Sequence, residues 1–129
     1  KARLGQAEFS DHVRANYSGR CCFPGCEIED DFLLVSGHIA RWADAERLRG
    51  ETSNGLCLCL LHDKAFELGL FTLTAGLAVA VNEARANTSP WAQGALSTHA
   101  GQLIRCGTIR PSLESLRLHW ARIGYEPLG

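Results

Sequence analysis

The chain has 129 residues, 46% of them hydrophobic and 21% charged, values of a globular domain and not of a disordered tail. Lysine and arginine number 13 against 14 acidic residues, and the formal net charge of −1 excludes a strongly basic nucleic-acid grip as a whole-chain property. No apolar run approaches the roughly 20 residues of a membrane span, and the absence of any methionine makes residues 1–129 read as one domain cut from a longer protein.

Residues 3–18 carry an i, i+4 stripe of Phe9, Val13 and Tyr17, which predicts a helix stopped by Gly19. A tight turn on Phe23-Pro24-Gly25 occupies 20–28. Residues 32–36 are a short apolar run of strand type. The polar stretch 40–53 has room for one or two helical turns between Ala43 and Arg49. A second strand is expected over 56–60. A helix over 61–68 follows, with Leu61, Ala65 and Leu68 on one side and Gly69 at its end. Residues 71–73 and 77–81 predict a hairpin turning at Ala75-Gly76. Residues 84–94, holding Thr88-Ser89-Pro90, read as an irregular connection, and Leu103 and Ile104 as a strand or a helix end. Pro111 opens a final helix to about residue 123, with Leu113, Leu116, Trp120 and Ile123 facing inward. The expected class is α+β.

The cysteines form two close groups, Cys21-Cys22-x3-Cys26 and Cys57-x-Cys59-x2-His62, with Cys106 apart. Such spacing beside a histidine suits zinc better than reduced core thiols or a disulfide framework. Between the groups the order is strand, His38, loop, Asn54, strand, then a helix carrying His62 and Asp63. A β-β-α finger of this kind can hold one divalent cation between strand and helix, with the histidine facing a phosphodiester. A neutral imidazole takes a proton from water near neutral pH. A cation offsets charge on the phosphate and the leaving oxygen. An asparagine can fix the imidazole or its loop without titrating.

These residues resemble the His-Asn-His (HNH) endonuclease family with its ββα-metal, or His-Me, finger, in a restriction-type subgroup. The blocks are Gly37-His38-Ile39-Ala40-Arg41-Trp42, then Arg49, then Asn54-Gly55-Leu56, then Leu61-His62-Asp63-Lys64-Ala65-Phe66-Glu67-Leu68-Gly69-Leu70. The resemblance covers about residues 8–82, with the core motif at about 20–74, and reaches more weakly to Pro111, Leu116 and His119. It implies a finger with flanking helices, a C-terminal hairpin and helix, and a structural zinc knuckle. His38 is then the general base and Asn54 the orienting residue. Two registers stay open at the helix: counted one way His62 is the last catalytic residue, counted back from Phe66 Asp63 holds the catalytic Mg²⁺ or Mn²⁺. The family's structural zinc would fall on Cys22, Cys26 and Cys59, with His62 as the fourth ligand when it is not used by the catalytic cation. Two departures stand out. Gly37 replaces an Asp or His that many relatives offer as a second cation ligand, and Arg41 replaces a proline.

The resemblance thus implies a bacterial, cytoplasmic DNA endonuclease with Arg41 and Arg49 on phosphate. A separate recognition domain directs it, with modified DNA as one expected target, and two fingers in a homodimer make a double-strand break. The alternatives are a non-catalytic zinc-stabilised module that binds DNA or protein, and a nuclease toxin acting on RNA. Cys21 and Cys57 are expected as packing residues and Cys106 as core. His12, His99 and His119 are expected as structural or surface residues, and Trp42 and Trp120 as core or rim aromatics.

Overall fold

The computed structural model describes residues 5–127. The first helix, α1, spans Gln6–Asn16 and buries Phe9 and Val13; residues 3 and 4 of the expected helix lie outside the described residues. Tyr17 follows it, buried, and Gly19 turns the chain with φ +66° while its N–H bonds the Arg14 carbonyl.

Strand β1, Leu34–His38, pairs antiparallel with β2, Gly55–Cys59, in a register that sets Leu34 opposite Cys59 and His38 opposite Gly55. The strand starts later than the apolar run suggests. Asp31–Leu33 is a 3₁₀ turn, and Phe32 is 81% exposed, so its hydrophobicity does not mark a buried strand position. The connection between the strands holds two further 3₁₀ turns, Glu46–Leu48 and Thr52–Asn54, instead of an α-helix. α1 lies across the strand pair at Gly55. A Cβ there would overlap a Val13 methyl and come within 2.9 Å of the Phe9 ring. The missing side chain lets the helix approach, and that approach brings Phe9 to His38.

β2 is buried throughout and runs directly into α2, Leu60–Glu67, whose first turn is capped by the Cys59 sulfur accepting from the His62 N–H. The inward face of α2 is His62, Ala65 and Phe66, while Leu61 and Leu68 are exposed. The expectation of a Leu61–Ala65–Leu68 face fails because His62 has buried partners that draw it inside, rotating the helix away from its leucines.

Strands β3, Phe71–Leu73, and β4, Val79–Val81, form the expected hairpin, and Ala78 bridges Leu103. The stretch expected to be irregular contains two short helices, α3 at Glu83–Ala86 and α4 at Pro90–Ala95. Ser89 caps α4 through its hydroxyl and Pro90 fills the first turn, so the Thr-Ser-Pro triplet is a helix start. The last helix, α5, spans Leu113–Ile123, capped by Ser112 and ended by Gly124 at φ +78°. It buries Ser115, Leu116, His119 and Trp120, whereas Leu113 stays exposed.

His119 ties α5 to the finger. Its ring stacks on Phe66 at 3.8 Å, and Nε2 donates to the Phe66 carbonyl at 3.0 Å. That leaves Nδ1 to accept from the Thr72 hydroxyl at 2.8 Å. Burial holds its pKa down at about 4, so the ring is neutral. The finger β1–β2–α2 is thus covered by α1 across its strand pair and braced by the hairpin and α5.

Candidate active site and metal centre

His38 ends β1 and its ring stacks on Phe9 of α1, with centroids 4.0 Å apart and planes 3° from parallel. Trp42 meets it edge-on at 5.6 Å. Nε2 lies 3.0 Å from the Arg49 carbonyl oxygen. A carbonyl only accepts, so Nε2 carries the proton and the neutral ring keeps its free lone pair on Nδ1. Burial pushes the His38 pKa below its ordinary value, partly opposed by that hydrogen bond. The ring is therefore an unprotonated base at neutral pH.

Asn54 is wholly buried and clamps the loop after His38. Its Oδ1 accepts from the Ala40 N–H at 2.8 Å, and its Nδ2 donates to the Ala40 carbonyl at 3.1 Å. The Ile39 N–H also bonds the Asn54 carbonyl, at 2.8 Å. Asn54 acts on the backbone that follows His38 and makes no hydrogen bond to the imidazole itself.

His38 and Asp63 line one cavity of about 270 Å³, together with Gly37, Arg41, Glu67 and Arg122. A Cβ on Gly37 would overlap Asp63 Oδ1, so the carboxylate occupies the place a side chain at 37 would take. The Asp63 pKa is raised to about 6, first by burial, then by the charges of Glu67 and Cys59, against a small opposing pull from Lys64. A carboxylate resisted by burial and like charge is one that a cation relieves, and its oxygens suit a hard ion. Glu67, one helical turn on, pairs with Arg41 at 3.2 Å. A larger cavity of about 560 Å³, lined by Tyr17, Arg20, Arg105 and Cys106 among others, contains no imidazole and no carboxylate.

The other neighbour at the start of α2 goes elsewhere. His62 Nδ1 lies 3.2 Å from the Cys59 sulfur and 3.6 Å from the Cys21 sulfur. With Cys26 these four ligand atoms all lie within 4.8 Å of one another. Tetrahedral ligands at about 2.0–2.3 Å from zinc stand roughly 3.6–3.8 Å apart, so the donor set and its spacing fit. The thiols compete for one proton. Cys59 is pushed down by hydrogen bonds from Cys21 and His62, and Cys21 is pushed up by the same Cys59 contact and by burial. A soft cation would take all three as thiolates. Phe23 stacks on His62 at 4.1 Å, and one Arg105 nitrogen, Nη1, donates to the carbonyls of Cys21 at 2.8 Å and Cys26 at 2.7 Å.

This placement changes two expectations. Cys21, not Cys22, joins the cluster. The Cys22 N–H bonds the Cys57 carbonyl, and its side chain is buried in the apolar core outside the four-ligand group. Arg49 does not line the cavity. Its Nε donates to the Trp42 carbonyl at 2.6 Å and its guanidinium lies 4.8 Å over the Trp42 ring. Arg122 lies outside every motif block, whereas Glu67 falls within the last block without a role assigned to it, four residues after Asp63 on the same helix face.

Residues 21–74 match the family model described as HNH endonuclease. No curated protein matches the chain. Among solved structures, a modification-dependent TagI restriction endonuclease is similar in fold, with a TM-score of 0.66 and 24% identity over 95% of this chain. The chain spans 39% of that protein's length. The ββα finger and the order of the sequence blocks agree with that match, which covers the finger and the start of the hairpin.

Proposed function

We propose that the chain is a divalent-metal-dependent DNA endonuclease domain of restriction type, hydrolysing phosphodiester bonds. The observation that carries this reading is the shared cavity of His38 and Asp63, in which the Arg49 carbonyl commits His38 Nε2 and leaves Nδ1 as the base. Nδ1 takes a proton from the attacking water. Asn54 holds the loop that begins at Ile39 and so keeps the ring end of β1 in place. Arg41 and Arg122 face the same cavity and suit phosphate oxygens. Mg²⁺ or Mn²⁺ on Asp63 would supply charge neutralisation at the phosphate and the leaving O3′. Zn²⁺ on Cys21, Cys26, Cys59 and His62 would fix the start of α2, and so the direction of Asp63.

Phosphate contacts carry no sequence information, so target choice belongs to another domain. The modification dependence named for the structural neighbour supports modified DNA as the target of this chain's parent protein. A homodimer would bring two fingers to a double-strand cut. The test is plasmid nicking by the purified domain with Mg²⁺ or Mn²⁺, beside His38→Ala. Robust cutting by that variant would sink the base assignment. No cutting by the wild-type domain with either ion would leave a non-catalytic zinc-stabilised module.

A further inference from the structure

The cavity holds two carboxylates and two guanidiniums on a small area. Asp63 and Glu67 are four residues apart on α2, so they share one helix face. Two carboxylates so placed repel unless a cation lies between or beside them. In this structure Arg41 supplies that positive charge, at 3.2 Å from Glu67. Both partners are about half exposed, so the pair is weak and easily exchanged. Gly37 contributes no ligand atom. Its bare Cα gives its space to Asp63 Oδ1, so the strand side of the cavity has no carboxylate of its own.

From this we infer that Glu67 is the second carboxylate of the cation site, and that Arg41 stands in for the cation until it arrives. Glu67 then exchanges Arg41 for the divalent ion, and the freed guanidinium turns to the scissile phosphate. Both carboxylates come from one helix, so the departure at Gly37 is answered on α2 and not on β1. The inference rests on the endonuclease reading only in taking Asp63 as the cation's first ligand, and it concerns binding, which is measured apart from cleavage.

The experiment is Mn²⁺ binding to the zinc-loaded protein without DNA, read by calorimetry and by the electron paramagnetic resonance of free Mn²⁺. Melting curves accompany each variant. Wild type is expected to bind one Mn²⁺. Asp63→Asn and Glu67→Gln should each weaken binding on the order of tenfold or more. Arg41→Ala should tighten it severalfold by removing the competitor, and in a Glu67→Gln background the same substitution should gain little. Glu67→Gln binding Mn²⁺ as wild type does would overturn the inference while leaving Asp63 in place. So would an Arg41→Ala gain that persists undiminished without Glu67, since that is plain charge repulsion. Failure of the wild type to bind Mn²⁺ at all would remove the cation from the endonuclease reading and this inference with it.

Discussion

His62 and Asp63 are consecutive residues on α2, yet they open onto two different environments. The His62 side is closed and soft: three sulfurs and an imidazole nitrogen, with Phe23 stacked on the ring and Arg105 bonded to the turn's carbonyls. The Asp63 side is half open and hard, an oxygen ligand among arginines with a neutral base on the facing strand. Successive residues of a helix point about 100° apart, so one first turn serves both. On the proposed reading the soft cluster would hold structure and the hard cavity would admit a substrate. Ligand softness would then sort zinc to one and magnesium or manganese to the other.

If that division is right, substitutions on the two sides fail in different ways. Cys59→Ser removes a cluster ligand while keeping a side chain that can cap α2, and should lower the melting temperature by about 10 °C or more. Metal analysis should show roughly one tightly held zinc in the wild type and much less in the variant. His38→Ala should instead cut single-turnover cleavage by about 10²–10⁴-fold and cost only a few degrees of melting temperature. An equal loss of stability from both would erase the distinction. The pH profile sharpens the same point. His38 is held below its ordinary value, so cleavage should climb with pH as the ring loses its proton, with a midpoint below the roughly 6.5 of a free imidazole. A midpoint above that value would contradict this environment for the ring.

A smaller effect comes from the buried brace. His119 stays neutral in the folded chain down to about pH 4, while in the unfolded chain it takes a proton below about 6.5. Its contribution is therefore whole above pH 6.5 and is lost as pH falls toward 4, amounting to roughly 3 kcal/mol. Denaturant melts of His119→Gln should show a flatter acid limb. The smallest effect is expected at Arg49. Its carbonyl, which any residue supplies, is what meets His38, so Arg49→Ala should slow cleavage only a few-fold and leave the salt dependence of DNA binding unchanged. Arg41→Ala should reduce that salt slope by about one.

Most of the finger was legible because its chemistry is ordered along the chain. His38, Asn54 and the His62-Asp63 pair sit at the end of one strand, the start of the next and the first turn of a helix, and that order needs no distant contact to be read. Adjacent pairs were not legible. Cys21 and Cys22 differ only in which way the backbone points them, and His62 and Asp63 only in the roll of α2, and both are fixed by packing against other segments. The roll also explains why the leucines of α2 misled. Its inward positions are set by the thiol cluster and not by hydrophobicity. Residues contributed from afar, Arg122 above all, had no local pattern to announce them.

Arg105 carries a practical consequence. It comes from beyond the family-matched segment, yet its side chain holds the carbonyls of Cys21 and Cys26 and its N–H bonds the Cys22 carbonyl. Ser112 likewise donates its N–H to Ser53, and Ile109 exchanges hydrogen bonds with Asn16. The later third of the chain is a clasp around the motif. Residues 21–74 are therefore not a portable cassette. A domain grafted from this chain onto a DNA-targeting protein would have to carry the clasp with it, at least through α5.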